Sequence, residues 1–155
     1  MELKLIKAEE SRLADCCEVF LASEIYEQYF KEGNRLERSL RTAMQKEELY
    51  LAEDEAGSIA GAMRVVMRGF CGLYPYLSLI GVKECFRGKR VGSYLMDQYE
   101  AMALQSGAKR ATLMVSDFNK GAQTFYRNRG YWLLGTLKDA VKPGIGELVM
   151  VKEME

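Results

Sequence analysis

The chain contains segments in which apolar and polar residues alternate and segments in which apolar residues recur every three or four positions. The first pattern predicts strands, and the second predicts helices. Strands are expected at 3–6, 50–53, 59–66, 76–82, 110–116, 131–137 and 146–152, and helices from residue 10 or 11 onward, at 34–46, at 91–106 and at 119–130. Runs of successive strands favour a mostly antiparallel sheet, but the crossover through 91–106 requires one parallel pair. We therefore predict one mixed α/β (α+β) domain over residues 1–155, with about seven strands flanked by about four helices.

The helical spacing also predicts which residues face the core and where helices begin and end. The expected core-facing positions are Leu13, Cys17, Phe20 and Leu21 in the first helix, Leu36, Leu40 and Met44 in the second, and Val91, Leu95 and Met102 in the third. Asn34 and Asn119 are placed to cap helices, and Gly130 is placed to end one in a left-handed conformation.

The composition is that of an ordinary globular protein, with 48% apolar and 28% charged residues in a chain of 155. A formal net charge of zero gives no global electrostatic reason to expect a nucleic acid or a membrane as a partner. The charge is nevertheless uneven. Residues 1–60 carry 8 Lys and Arg against 14 Asp and Glu, whereas the remaining residues carry 14 against 8. A basic second half suits phosphates, and an acidic first half suits a cationic acceptor.

The chain has no histidine, so the commonest general base and the commonest zinc ligand are both absent. Its four cysteines form no C-x-x-C pair, and no metal site is predicted. No segment approaches the roughly 20 apolar residues that a membrane helix needs. We expect a cytoplasmic protein with reduced thiols.

A short basic loop follows the apolar strand that contains Leu79 to Val82 and opens directly into a predicted helix. It consists of Arg87, Gly88, Lys89, Arg90, Val91, Gly92 and Ser93. Glycines allow several backbone N–H groups to point to one place, and a helix N-terminus adds unpaired donors and partial positive charge. This combination predicts a diphosphate site, although an exposed basic turn without a ligand fits the pattern equally well. The glycine spacing matches neither a P-loop nor a dinucleotide fingerprint.

A second informative segment lies roughly 30 residues after the basic loop. In it, Asn119 begins a predicted helix after a strand-like run. Ala122, Phe125 and Tyr126 recur at three and four residues and so share one face. Taken alone, this pattern is also that of a short helix packing its aromatic residues on a sheet.

Together the two segments resemble the GNAT superfamily of acyl-CoA-dependent N-acyltransferases. Residues 87–92 resemble the family's Arg/Gln-x-x-Gly-x-Gly/Ala diphosphate motif, and Asn119, Ala122, Tyr126, Gly130 and Tyr131 match its later Asn-x-x-Ala-x-x-x-Tyr pattern and the Gly-Tyr that follows. One departure is Arg90, which stands at the family's middle glycine. A non-glycine residue is expected there only if its φ stays below zero.

The resemblance implies that acetyl-CoA is the co-substrate and that the fourth and fifth strands splay apart around its pantetheine arm. The arm would pair with the backbone of Ile80, Gly81 and Val82, and the basic loop at 87–93 would hold the diphosphate. Asn119 would bond the pantetheine amides, with Ala122 and Phe125 packed beside the arm. Tyr126 would be the general acid, since a phenol with a pKa of about 10 is protonated at neutral pH.

No general base is identified from the sequence. The fourth strand offers Tyr74, Tyr76 and Ser78 but no acidic residue, and Glu24, Glu27 and Glu84 are as well explained as exposed charges. Two functions therefore stay open. The chain is either an N-acetyltransferase for an amine on a small molecule or protein, or a non-catalytic acyl-CoA-binding module. The resemblance allows a homodimer without requiring one.

Overall fold

A computed structural model describes residues 1–155 and contains seven strands and four α-helices. In chain order these are β1 (Leu3–Lys7), α1 (Leu13–Leu21), α2 (Arg35–Gln45), β2 (Leu49–Asp54), β3 (Ile59–Phe70), β4 (Tyr74–Val82), α3 (Val91–Gln105), β5 (Arg110–Ser116), α4 (Lys120–Asn128), β6 (Trp132–Lys138) and β7 (Gly146–Glu153). Two 3₁₀ turns (Glu10–Arg12 and Glu84–Phe86) and one π-helical segment (Tyr26–Phe30) complete the regular structure.

The strands form one sheet in the order β1-β2-β3-β4-β5-β7-β6. β4 and β5 are parallel, whereas the pairs β1–β2, β2–β3, β5–β7 and β6–β7 are antiparallel. The predicted fold class, including the single crossover through α3, is confirmed. No helix is both long enough and apolar enough to cross a membrane.

The chain divides into two compact units, each built from two stretches of sequence. The first comprises Met1–Val65 and Leu79–Tyr99. Its core is a cluster of apolar side chains from α1, α2, β2 and β3, which includes Phe20, Leu40, Leu51 and Ala62. In α2 the predicted stripe of Leu36, Leu40 and Met44 is buried, because positions four apart lie on one face of a helix.

The second unit comprises Val66–Ser78 and Glu100–Glu155. Within it, β5 pairs with β4 at Tyr76–Thr112 and Leu77–Leu113 and with Glu147 to Glu153 of β7 on its other side. Glu100 accepts hydrogen bonds from Arg129 at 3.2 Å, from the Tyr131 hydroxyl at 3.1 Å and from the Lys152 ammonium at 3.0 Å. This network fixes the C-terminal end of α4.

The structure corrects three details of the helix predictions. Leu21 is 48% exposed, and Cys16 and Val19 contribute to the core of α1 instead. Asn34 stands at the N-cap of α2 but makes no capping hydrogen bond through its side chain. In α3 the core positions are Val91, Leu95, Met96, Tyr99 and Ala103, and Met102 is only half-buried.

Candidate functional site

In the first unit, the C-terminal end of β4 carries Ile80, Gly81 and Val82, all half-buried. Glycine is required at position 81 because a Cβ there would lie 2.5 Å from the Phe20 ring. Phe20 is 1% exposed and has no space to move aside. The absent side chain therefore allows α1 to pack directly on the strand.

Arg87 anchors the basic loop to the rest of the first unit. Its guanidinium donates to the carbonyl oxygen of Ala22 at 2.6 Å and to that of Val82 at 3.4 Å. Its backbone N–H donates to Glu84, which closes the 3₁₀ turn. Arg87 thus positions the loop and is less available as a counter-charge than its sequence position suggested.

The loop backbone takes a left-handed conformation at Gly88 (φ 76°) and again at Arg90 (φ 65°). The expectation that Arg90 keeps φ below zero is therefore wrong. The family motif has a glycine at this position, and glycine adopts the left-handed conformation easily. Arg90 adopts it as well, although a Cβ makes the left-handed conformation unfavourable for most residues. Backbone strain of this kind is often found at functional sites.

The first turn of α3 offers backbone donors in succession. The first bond of the helix runs from the Tyr94 N–H to the Arg90 carbonyl at 3.0 Å, so the N–H groups of Val91, Gly92 and Ser93 have no partner within the helix. Val91 itself is buried in the core. Lys89 and Arg90 are exposed. The arrangement suits an anion.

In the second unit, Asn119 caps α4 as predicted. Its side-chain oxygen accepts from the Ala122 N–H at 3.2 Å, and its carbonyl accepts from the Gln123 N–H at 3.1 Å. The cap leaves the two N–H donors of the Asn119 amide outside this bond. Ala122 and Phe125 follow on the helix, and both are half-buried.

Tyr126 is only 5% exposed. Its ring centroid lies 5.5 Å from that of Phe125 and 5.9 Å from that of Tyr131, so aromatic side chains flank it. Burial raises the pKa of Tyr126 well above its ordinary value, because the phenolate is disfavoured away from water. The hydroxyl therefore holds its proton throughout the physiological pH range. Gly130 ends this region with φ 94°, as predicted.

Three polar residues near the start of α4 were not identified from the sequence. Gln123 is buried, and its amide donates to the carbonyl oxygens of Ser116 and Asp117 at 3.1 Å each. Ser116 and Glu147 are also buried and hydrogen-bonded to each other. The signal for this pair is the strand register, which places Ser116 opposite Glu147 and which sequence spacing does not reveal.

The acidic residues that the sequence offered as possible general bases are Glu24, Glu27 and Glu84. Glu84 is exposed in the 3₁₀ turn, and Glu24 is exposed just before the π-helical segment. Glu27 pairs with Lys31 at 3.2 Å on the surface. Tyr26 and Phe30 pack partly against the core of the first unit. The segment at 24–30 is thus largely explained by packing and surface charge.

Solved structures of known proteins share this fold. A GNAT-family acetyltransferase from Bacillus cereus is 14% identical, with a TM-score of 0.77 over 100% of this chain and 99% of the other. Naa20 of Chaetomium thermophilum, solved with a bisubstrate analogue, is 22% identical, with a TM-score of 0.73 over 97% of this chain and 86% of the other. Nourseothricin acetyltransferase is 26% identical, with a TM-score of 0.62 over 69% of this chain and 65% of the other.

Comparison of the sequence with curated proteins finds no significant match. Comparison with family models finds one match: the model of the Acetyltransferase (GNAT) family matches residues 16–131. The matched range contains both the basic loop and the Asn119–Tyr126 segment. The chain therefore belongs to the GNAT family of acetyltransferases.

Proposed function

We propose that the protein transfers the acetyl group of acetyl-CoA to a primary amine by direct attack, with Tyr126 as the general acid. The observation that carries the proposal is the basic loop. Its two left-handed residues lead into three helix N–H groups that have no partner within α3, with exposed cations beside them. This is the chemistry that a coenzyme's diphosphate requires.

The remaining predicted residues would hold the rest of the coenzyme. The backbone of Ile80 to Val82 would pair with the pantetheine arm, as an added strand does. The free N–H donors of Asn119 would bind an amide carbonyl of the arm, and Ala122 and Phe125 would pack beside it.

The chemistry requires a proton for the departing thiolate. Burial raises the pKa of Tyr126 and so keeps its hydroxyl protonated, which leaves a proton available for the departing thiolate. The likeness to nourseothricin acetyltransferase is consistent with a small-molecule acceptor, and an amine of a protein is the other acceptor class. We leave both acceptor classes within the proposal.

A second candidate is an acyl-CoA-binding module without turnover. It is favoured by one observation, the lack of any Asp or Glu along β4, where a general base is often found in the family. Such a module would retain the basic loop and the Asn119 cap.

Purified protein incubated with acetyl-CoA and an amine panel separates the two functions. The panel contains spermidine, kanamycin and a tripeptide with a free N-terminus, and the readouts are free thiol and the mass of the acetylated amine. Amine-dependent thiol release supports the transferase. Calorimetric binding of acetyl-CoA without release for any amine supports the module, and no heat at millimolar acetyl-CoA contradicts both.

A further inference from the structure

The second unit carries a concentrated apolar surface that the proposed function does not use. Ten large apolar residues of the chain are exposed, and five of them lie within the ten residues 132–141. These five, called the apolar edge below, are 42% to 59% exposed and comprise Trp132, Leu133, Leu134 and Leu137 on β6 and Val141 in the turn that follows. Single exposed leucines are ordinary on a protein surface, but a cluster of this kind is typical of an interaction surface.

The backbone of β6 is also open on one side. The sheet order ends with β6, so β7 is its only neighbour in the sheet. The pairing with β7 has a bulge between Leu133 and Gly135 and is regular from Gly135 to Lys138. Six of the seven residues of β6 are exposed, which shows that no helix or loop covers the strand. Its outer N–H and C=O groups therefore offer a template for another strand.

The other edge strand, β1, is protected in a way that β6 is not. Its five residues include Lys4 and Lys7, and the Lys4 ammonium lies 3.3 Å from the Glu53 carboxylate. Lysines on an edge strand oppose pairing with another chain, because the incoming strand must remove their charge from water. From Trp132 to Leu137, β6 has no charged residue, and its single lysine, Lys138, stands at the last position.

The charge of the apolar edge favours a second copy of the chain as its partner. Residues 132–141 contain one lysine and one aspartate, Lys138 and Asp139, and so have no net charge. A nucleic acid or an anionic membrane would require a cluster of cations instead. When two copies of β6 lie antiparallel, their lysines are at opposite ends of the pair and do not repel each other. Each Lys138 then lies near Trp132 of the other copy, whose ring attracts a cation.

The exposed area is sufficient for a dimer. A large apolar side chain has on the order of 200 Å² to bury, so the five residues expose roughly 500 Å² on each copy. Two copies supply about 1,000 Å², and the exposed Thr136, Lys138 and outer backbone bring the total near about 1,200 Å². This is the lower end of the range for specific interfaces, so we expect a dissociation constant in the micromolar range.

We propose that the protein forms a homodimer in which the β6 strands of two copies pair antiparallel about a two-fold axis. The interface is self-complementary, because the same strand supplies both halves. The two sheets become continuous, and the apolar edge of each copy is covered by that of the other. The dimer does not depend on acetyl transfer, so either proposal can fail without the other.

The mass of the full chain in solution tests the proposal. Sedimentation equilibrium is measured at loading concentrations from about 1 to about 500 µM, which span a micromolar dissociation constant. The average mass should rise with concentration from 17.6 kDa toward twice that value. A mass that stays at that of one chain throughout would overturn the proposal.

Matched leucine variants locate the interface. L134K places a charge in the apolar edge, whereas L104K places the same charge on α3, and the two leucines are 53% and 52% exposed. L134K should raise the dissociation constant of the dimer at least about tenfold, because a lysine on an edge strand opposes pairing. L104K should leave it within about twofold of the wild type. Equal dissociation constants in L134K and the wild type would place the interface elsewhere and so contradict the proposal.

Hydrogen exchange distinguishes strand pairing from contact between side chains alone. Amides of residues 132–138 should exchange more slowly at about 500 µM than at about 5 µM wild type, because pairing protects the outer N–H groups. Amides of β1 should exchange at the same rate at both concentrations. A dimer without this protection in β6 would refute strand pairing. The wild-type comparison needs no variant, so it remains decisive if L134K proves unstable.

One further arm covers a different occupant of the apolar edge. Wild-type protein is mixed with phosphatidylcholine vesicles and sedimented, with L134K and L104K beside it. A dimer in solution that leaves the vesicles unbound supports the proposal. A monomer that sediments with the vesicles, and loses this binding in L134K alone, would assign the apolar edge to a lipid surface and overturn it.

Discussion

The basic loop and the start of α4, the two parts of the proposed site, are built from different kinds of polar group. The loop is exposed, takes left-handed conformations at Gly88 and Arg90, and offers backbone N–H groups. The start of α4 uses side chains instead: Asn119 caps the helix, Gln123 holds the end of β5, and Tyr126 is buried. One region depends on the path of the main chain, and the other depends on particular functional groups.

The difference predicts unequal sensitivity to substitution. Where the backbone binds, a new side chain matters only if it changes φ or collides with a neighbour. Where a side chain performs the chemistry, loss of one atom removes the function while leaving the fold intact. The following changes test this contrast.

The largest effect is expected for Tyr126→Phe, which removes only a hydroxyl from the side-chain region. We expect kcat to fall about 100-fold, since general acid catalysis contributes at least that much. The acetyl-CoA dissociation constant should change by less than about twofold, because the loop is untouched. The measurements are steady-state kinetics and calorimetry.

Tyr131→Phe is the matched control, since it removes a hydroxyl from a neighbouring buried tyrosine. This hydroxyl donates to Glu100 and belongs to the network at the end of α4. Its loss should lower the free energy of unfolding by about 1 kcal/mol with little change in kcat. Equal losses of kcat in the two variants would remove Tyr126 from the chemistry.

Most of the fold was predictable from the sequence because the apolar periods are strong and local. All seven strands overlap their predicted ranges, although β3 continues four residues further, to Phe70. The stripe of α2 is buried as the spacing of four implied. The π-helical segment Tyr26–Phe30 was not anticipated, because nothing in its composition distinguishes it from an ordinary helix end. Leu21, the last residue of α1, was misassigned: it is exposed although Val19 and Phe20 in the same turn are buried.

The conformation of the proposed site was predictable from the sequence only where it depends on residues close together in the chain. The Asn119 cap and the Gly130 terminus were correct because both depend on local backbone geometry. The conformation of Arg90 was predicted wrongly. Non-glycine residues usually avoid positive φ, but the turn requires a positive φ at this position. Glu147 and Ser116 are 31 positions apart and meet only through the pairing of β5 with β7.

Gly81→Ala tests the strand that precedes the loop. A Cβ would lie 2.5 Å from the Phe20 ring and 3.2 Å from Val19, both almost fully buried. We expect the free energy of unfolding to fall by about 2 kcal/mol, the usual cost of overpacking a core. Gly121→Ala is the control, because no atom lies within 4 Å of its Cβ position. Chemical denaturation measures both, and equal stabilities would contradict the packing argument.

Two asparagines at helix starts allow a smaller and sharper test. Asn119 bonds the Ala122 N–H through its side chain, whereas Asn34 occupies the same position on α2 without such a bond. Asn119→Ala should therefore cost about 1 kcal/mol, and Asn34→Ala should change the stability by less than about 0.5 kcal/mol. Thermal unfolding under identical conditions gives the comparison, and a larger loss at Asn34 would reverse it.

The smallest effect is expected for Arg90→Gly, which separates the backbone of the loop from its charge. Glycine adopts the left-handed conformation freely, so the variant relieves strain of about 1 kcal/mol and loses part of that gain to the greater freedom of its unfolded chain. If N–H groups do most of the binding, acetyl-CoA affinity should stay within about threefold of the wild type. Arg90→Ala loses the same charge but keeps the strain, and should be less stable than Arg90→Gly. A tenfold loss of affinity in both variants would mean that the guanidinium, and not the path of the main chain, holds the diphosphate.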